Sequence, residues 1–169
     1  MVDISLLRTA DFWRQRASEL VPDSHALIDG KRVESIDGAT FDCLSSIDGR
    51  RLAAVAACAA SDVDSAVSAA RAAFSRGDWA AQSPADRKKV LLRFADLIER
   101  HIDELALLET LDTGKPIRDS LQVDVPSTAR CIRWYAEAVD KVYGEVAPTG
   151  SDALALVTRE PLGVIGAIV

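Results

Sequence analysis

Pro161-Leu162-Gly163-Val164-Ile165-Gly166-Ala167-Ile168-Val169 is the stretch on which the fold reading turns. Pro161-Leu162-Gly163 reads as a turn, and Val164 to Val169 as a strand that is apolar on both faces. A strand without polar alternation is one covered on both sides, as in a parallel sheet flanked by helices. Open parallel sheets take ligands beyond the carboxyl ends of their strands, so the sequence leads up to a site of that kind. The expected class is α/β.

Working back from that strand, Glu145-Val146-Ala147 and Leu154 to Arg159, joined by a turn over Pro148 to Asp152, predict a hairpin. Before it a long helix starts near Gln122 or Pro126 and runs to Tyr143, with Val125, Ala129, Ile132, Ala136 and Val139 inward and Gly144 as its stop. A helix from about Asp103 carries Leu105, Leu108 and Leu111 and ends at Gly114 with Pro116 beyond. Ser83-Pro84-Ala85-Asp86 starts another: serine caps it, proline takes the first helical position, and Val90, Leu91, Phe94, Leu97 and Ile98 form the buried stripe. Ser61 with Asp64 predicts a capping box for a helix burying Val63, Ala66, Val67, Ala70 and Phe74 and closed by Gly77. Asp29-Gly30 and Asp48-Gly49, each between apolar runs, predict two antiparallel hairpins. Thr9 to Leu20 reads as a short, peripheral amphipathic helix.

The chain has 169 residues, 49% apolar and 27% charged, with a net charge of −6. That composition suits one globular domain and supplies no basic field to neutralise phosphates, which excludes nucleic acid as the expected partner. No run is long enough to span a membrane and the start lacks a signal pattern, so a cytoplasmic location is expected. The three cysteines, Cys43, Cys58 and Cys131, form neither a disulfide framework nor a zinc spacing and read as reduced thiols.

Gly114-Lys115 fails as a phosphate loop, because Glu109 stands where the first glycine belongs and Pro116 where Ser or Thr belongs. Pairing Cys131 with His101 gives no catalytic dyad, since Cys131 falls among helical positions. Asp112 is the residue that local structure leaves open. An acid in a last helical turn opposes the macrodipole, so it is either solvated or backbone-bonded, or held by a cation.

LETLDTGKPIRDS, IRWYAEAVDKVYGEV, REPLGVIGAIV and GDWAAQSPADRKKVLLRFADLIE together resemble the amino-terminal part of the NAD(P)-dependent aldehyde dehydrogenase family, nearest to bacterial enzymes acting on γ-glutamyl-γ-aminobutyraldehyde and related aminoaldehydes of polyamine breakdown. The resemblance covers nearly everything after His25. It implies the N-terminal portion of that fold: the first half of a Rossmann-like cofactor domain plus an oligomerisation hairpin. Residues 1–24 would be a peripheral segment, 25–143 the N-terminal part of the cofactor-binding domain, 144–160 the hairpin, and 161–169 the first strand of the dinucleotide-binding sheet. It places Ile168 and Val169 beside NAD or NADP. Asp112, with the backbone near Cys43 and Leu44, would hold a structural monovalent cation. Val123 and Ser127 would stand at the mouth of the aldehyde tunnel, with Asp119 and Asp124 nearby to attract a cationic aldehyde. Self-association would run through Glu145 to Glu160.

The family's chemistry needs a cysteine nucleophile, oxyanion donors, hydride transfer to the nicotinamide and a glutamate base. None of the three cysteines here occupies the nucleophile's motif, so the resemblance assigns no catalytic residue within the chain. The expectation is a truncated family member that does not turn over alone. The alternative is a non-catalytic product acting through association with itself or with a full-length relative.

Overall fold

The computed structural model describes residues 8–168; the expectation for Val169 and the first part of the segment 1–24 lie outside them. The elements in chain order are α1 (Ala10–Glu19), β1 (Ala26–Ile28), β2 (Lys31–Val33), β3 (Thr40–Leu44), β4 (Arg51–Ala56), α2 (Ala60–Arg76), α3 (Pro84–Arg100), α4 (Ile102–Thr113), α5 (Ile117–Asp119), a π-helical turn (Ser120–Asp124), α6 (Val125–Ala138), β5 (Glu145–Ala147) and β6 (Ala155–Val157). The strands pair as three separate antiparallel hairpins, β1–β2, β3–β4 and β5–β6. Asp29 and Gly30 adopt the expected left-handed backbone, at φ 52° and 72°.

The core lies among α1, α3, α4 and α6. Trp13 of α1 joins Ala95 and Ile98 of α3, Ala106, Leu107 and Leu111 of α4, Leu121 of the π turn, and Val125 and Ala129 of α6 in one buried cluster. Ala95, Ala106, Ala129 and Ala136 are fully buried. Side chains this small let helix backbones approach closely, and α3 and α6 form the most extensive helix pair. Lys88–Glu137 at 2.5 Å, and Arg133 with Asp96 and Glu99 at 2.8 and 2.5 Å, line the margin of that pair. Half-exposed ion pairs add little stability and act mainly on register.

Four features depart from the sequence reading. The cap of α2 is not Ser61 with Asp64. Ala59 holds the cap position and offers no acceptor, so Asp62 reaches back to accept the Ala59 N–H at 2.8 Å and also takes the Ile36 N–H at 2.9 Å. The stripes of α2 and α3 are only partly covered: Val63, Val67 and Phe74, and Val90, Phe94 and Leu97, are exposed. Periodicity locates an apolar face but not the element that covers it, and α6 covers only the Ala95–Ile98 side of α3.

The long helix starts at Val125, within the expected range, but follows a π turn and stops sooner than expected. Pro126 has no N–H to bond the Gln122 carbonyl and its ring crowds that position, so the preceding turn widens and the Val125 N–H donates to Ser120 O, five residues back. At the other end α6 closes at Ala138 with a turn in which the Lys141 N–H donates to Ala138 O at 2.9 Å. Gly144 therefore serves the hairpin: a Cβ there would stand 2.6 Å from Val157 O. Finally, residues 161–168 enter no ladder among the described residues, and Leu162 is 96% exposed. A strand needs a neighbour for its N–H and C=O groups, and the described residues supply none.

Candidate functional site

Two clefts flank α4 and share Leu105 and Glu109 as a common wall. The first, of about 380 Å³, lies between α4 and the β3–β4 hairpin, with Cys43, Leu52, Val55, Leu108 and Asp112 among its lining. The hairpin is fixed to the end of α4 by the loop after β3. The Ser46 N–H donates to Leu111 O at 3.2 Å and the Ser46 hydroxyl to Asp112 O at 2.5 Å, so two of the helix's last carbonyls are satisfied by protein groups. Gly114, at φ 78°, ends α4, and a Cβ there would already crowd Ser46 Cβ at 3.3 Å.

That docking brings Cys43 Sγ to 3.6 Å from Asp112 Oδ1, with the thiol as donor. Burial pushes the Cys43 thiol above its usual range, and the hydrogen bond to Asp112 and its charge push the same way. A thiol held protonated beside a carboxylate is a poor nucleophile. The β3–β4 register slips between Cys43 and Leu44, a bulge that bends the strand where it meets α4. Leu44 itself turns outward and is exposed. Among the described residues no three His, Cys, Asp or Glu side chains gather as a metal site.

The second cleft, of about 640 Å³, opens between α3, α4 and the start of α6, with Phe94, Ile98, Lys115, Asp124, Ser127 and Thr128 on its walls. Lys115 Nζ lies 2.6 Å from Asp124 Oδ2 and 3.8 Å from Glu109 Oε1. The hydrogen bond to Asp124 holds the Lys115 ammonium above the ordinary lysine range against the opposing effect of burial, with help from the charges of Asp124, Glu109 and Asp119. Beneath it, Thr110 and Ser120 join α4 to the π turn through a buried hydroxyl pair at 3.1 Å.

Of the residues the sequence singled out, Cys43 and Asp112 meet in the first cleft, and Asp124 and Ser127 line the second. Asp119 and Val123 are not among the residues lining it, and Val123 is exposed. Asp119 accepts from Arg118 at 3.2 Å and Asp124 from Lys115, so both acids already hold a cation. Ser127 Oγ accepts from Arg130 at 2.7 Å. Ile168 is fully exposed, and Val169 lies outside the described residues. Sequence reasoning missed Ser46, the role of Lys115 and the π turn. Only the π turn left a signal, in Pro126.

The aldehyde dehydrogenase family model matches residues 33–169. The NADP/NAD-dependent aldehyde dehydrogenase PuuC of Escherichia coli (strain K12) is 52% identical over 158 residues, 94% of this chain and 32% of that protein. The aminoacetaldehyde dehydrogenase of Pseudomonas aeruginosa is 48% identical over 152 residues, 90% of this chain and 31% of the relative. Among solved structures, the γ-glutamyl-γ-aminobutyraldehyde dehydrogenase of Burkholderia cenocepacia J2315 superposes with a TM-score of 0.90 at 54% identity, over 92% of this chain and 32% of that one. The indole-3-acetaldehyde dehydrogenase AldA of P. syringae, solved with NAD+ and IAA, gives 0.90 at 52% identity, over 93% and 32%. The chain thus spans about a third of the length of the relatives it matches.

Proposed function

Because the chain belongs to the aldehyde dehydrogenase family, we propose that it serves the NAD(P)-dependent oxidation of an aldehyde to its carboxylic acid, with an aminoaldehyde of polyamine breakdown as substrate. The observation that carries this is the 52% identity to the Escherichia coli relative across 94% of the chain. The names of the two aminoaldehyde enzymes among its relatives support the substrate class.

Within that reading the 169-residue chain alone is inactive. Cys43 is held protonated by burial and Asp112, while Cys58 and Cys131 are exposed and sit in neither cleft. Ile168 and Val169 supply apolar contact to the dinucleotide. The exposed side chain of Ile168 suits that contact and carries no charge for phosphates. Asp112 and the backbone freed at the Cys43–Leu44 bulge form the structural cation site, where one carboxylate and carbonyl oxygens suit a monovalent ion. Asp119, Val123, Asp124 and Ser127 border the path of the aldehyde, with Lys115 offsetting the charge of Asp124. Glu145 to Glu160 mediates self-association, for which the exposed Val146, Leu154 and Leu156 provide apolar surface.

The test is a chimera in which residues 33–168 replace the matching stretch of the Escherichia coli relative. Aldehyde-dependent NAD(P)H formation is expected. A folded chimera of native oligomeric size that forms none overturns the proposal.

A further inference from the structure

Two arginines stand on α6, and acids match only one of them. Arg133 is held by Asp96 at 2.8 Å and Glu99 at 2.5 Å, both on α3. Arg130, one turn earlier and exposed, pairs with no carboxylate among the described residues. The positions three and four places from it on the helix are Pro126, Ser127, Arg133 and Trp134, none of them an acid. Its Nη2 instead donates to Ser127 Oγ at 2.7 Å. Ser127 is part of the wall of the larger cleft at α4, so this bond holds the guanidinium at the edge of that cleft.

The acids around the same cleft are already occupied. Lys115 lies between Asp124 and Glu109, at 2.6 and 3.8 Å, and Arg118 holds Asp119 at 3.2 Å. A cationic ligand would have to displace Lys115 or Arg118 to reach them, whereas an anionic one meets an unmatched guanidinium at the edge. Ser127, Arg130 and Trp134 are spaced by three and four residues and share one face of α6, which begins at the cleft wall and ends at the 66% exposed Trp134. A guanidinium that is accessible on such a face suits a carboxylate, which accepts from two parallel N–H groups.

We propose that Arg130 is a specificity-determining residue that binds a carboxylate at the far end of the aldehyde. It favours an aminoaldehyde whose amine is acylated by a dicarboxylic acid over one that keeps a free ammonium. The assignment rests on the aldehyde oxidation proposed above, with Ser127 bordering the aldehyde's path.

The test uses the chimera described above, in which the relative supplies the remainder of the enzyme. The substrates are N-glutaryl-γ-aminobutyraldehyde, which ends in a carboxylate, and its terminal carboxamide, which is uncharged. The readout is the ratio of their kcat/KM values. The parent chimera is expected to prefer the carboxylate about fivefold, the upper range for a solvent-accessible ion pair. Raising salt from about 0.02 to 0.3 M is expected to bring the ratio toward one. Arg130→Gln is expected to do the same at low salt, while Arg71→Gln, an equal loss of charge at an exposed position on α2, leaves the preference in place. Turnover of both aldehydes with a ratio near one, a ratio that salt or Arg130→Gln does not move, or an equal fall with Arg71→Gln overturns the assignment and leaves the functional reading standing. A folded chimera that turns over neither aldehyde overturns both. The salt series on the parent decides the matter even where a variant does not fold.

Discussion

Replacing Asp62 by alanine tests the join between α2 and the strand region. Its carboxylate is 2% exposed and accepts two backbone N–H groups, from Ala59 at the start of α2 and from Ile36 beyond β2. Losing a helix cap costs about 1 kcal/mol. Leaving the Ile36 N–H without its acceptor costs about 1–2 kcal/mol more, at the low end for a partly solvated group. The sum, about 2–3 kcal/mol, corresponds to a fall of roughly 4–12 °C in melting temperature for a chain of this size. The assay is urea and thermal unfolding followed by circular dichroism, with Asp64→Ala as the paired control. Asp64 is exposed and is the residue the S-x-x-D pattern nominates, and its loss is expected to stay within about 0.5 kcal/mol. Equal effects from the two variants, or a smaller one from Asp62→Ala, refute the capping argument.

Three further outcomes follow from the geometry. With limiting iodoacetamide near neutral pH, Cys58 and Cys131 are expected to be alkylated before Cys43, and Asp112→Asn to speed Cys43 labelling, as read by mass spectrometry of the peptides. Because the folded Cys43 pKa is raised, its contribution to stability is present below the unfolded thiol pKa and is lost as pH rises through the folded one; Cys43→Ser should flatten unfolding stability across that alkaline window. Gly144→Ala places a methyl 2.6 Å from Val157 O, so it is expected to pry β5–β6 apart and to reduce self-association measured by sedimentation. A variant that associates as the parent does would show that the hairpin does not carry it.

How far the sequence revealed the molecule depends on whether a signal was local. Ser83-Pro84 at the start of α3 and Gly114-Lys115-Pro116 at the end of α4 were readable because capping and chain reversal are decided within a turn. The inward face of α6, from Val125 to Ala136, was readable because both α3 and α4 pack on it. The same periodicity misled at α2 and along Val90–Phe94–Leu97, where the apolar side chains stay exposed. Gly144 looked like a helix stop because a glycine after an apolar run has that meaning locally, whereas its role depends on a carbonyl thirteen residues away in β6. Asp112 could be singled out as an acid at the wrong end of a helix. That Cys43 would be its partner depends on how the β3–β4 loop docks through Ser46, which no spacing encodes. The resemblance to a family named Cys43 alongside Asp112, and the structure sets Cys43 Sγ 3.6 Å from Asp112 Oδ1; residue chemistry alone did not point to that pair.

The most direct test of the account joins both of its halves, that this chain supports aldehyde oxidation and that none of its own thiols reacts. It is kcat/KM for an aminoaldehyde in the chimera described above with Cys43, Cys58 and Cys131 all replaced by serine. A value within about threefold of the cysteine-containing chimera is expected, since a structural thiol changes stability and not the reacting atoms. Loss of turnover in a folded triple variant, recovered by restoring any one of the three cysteines, would contradict it.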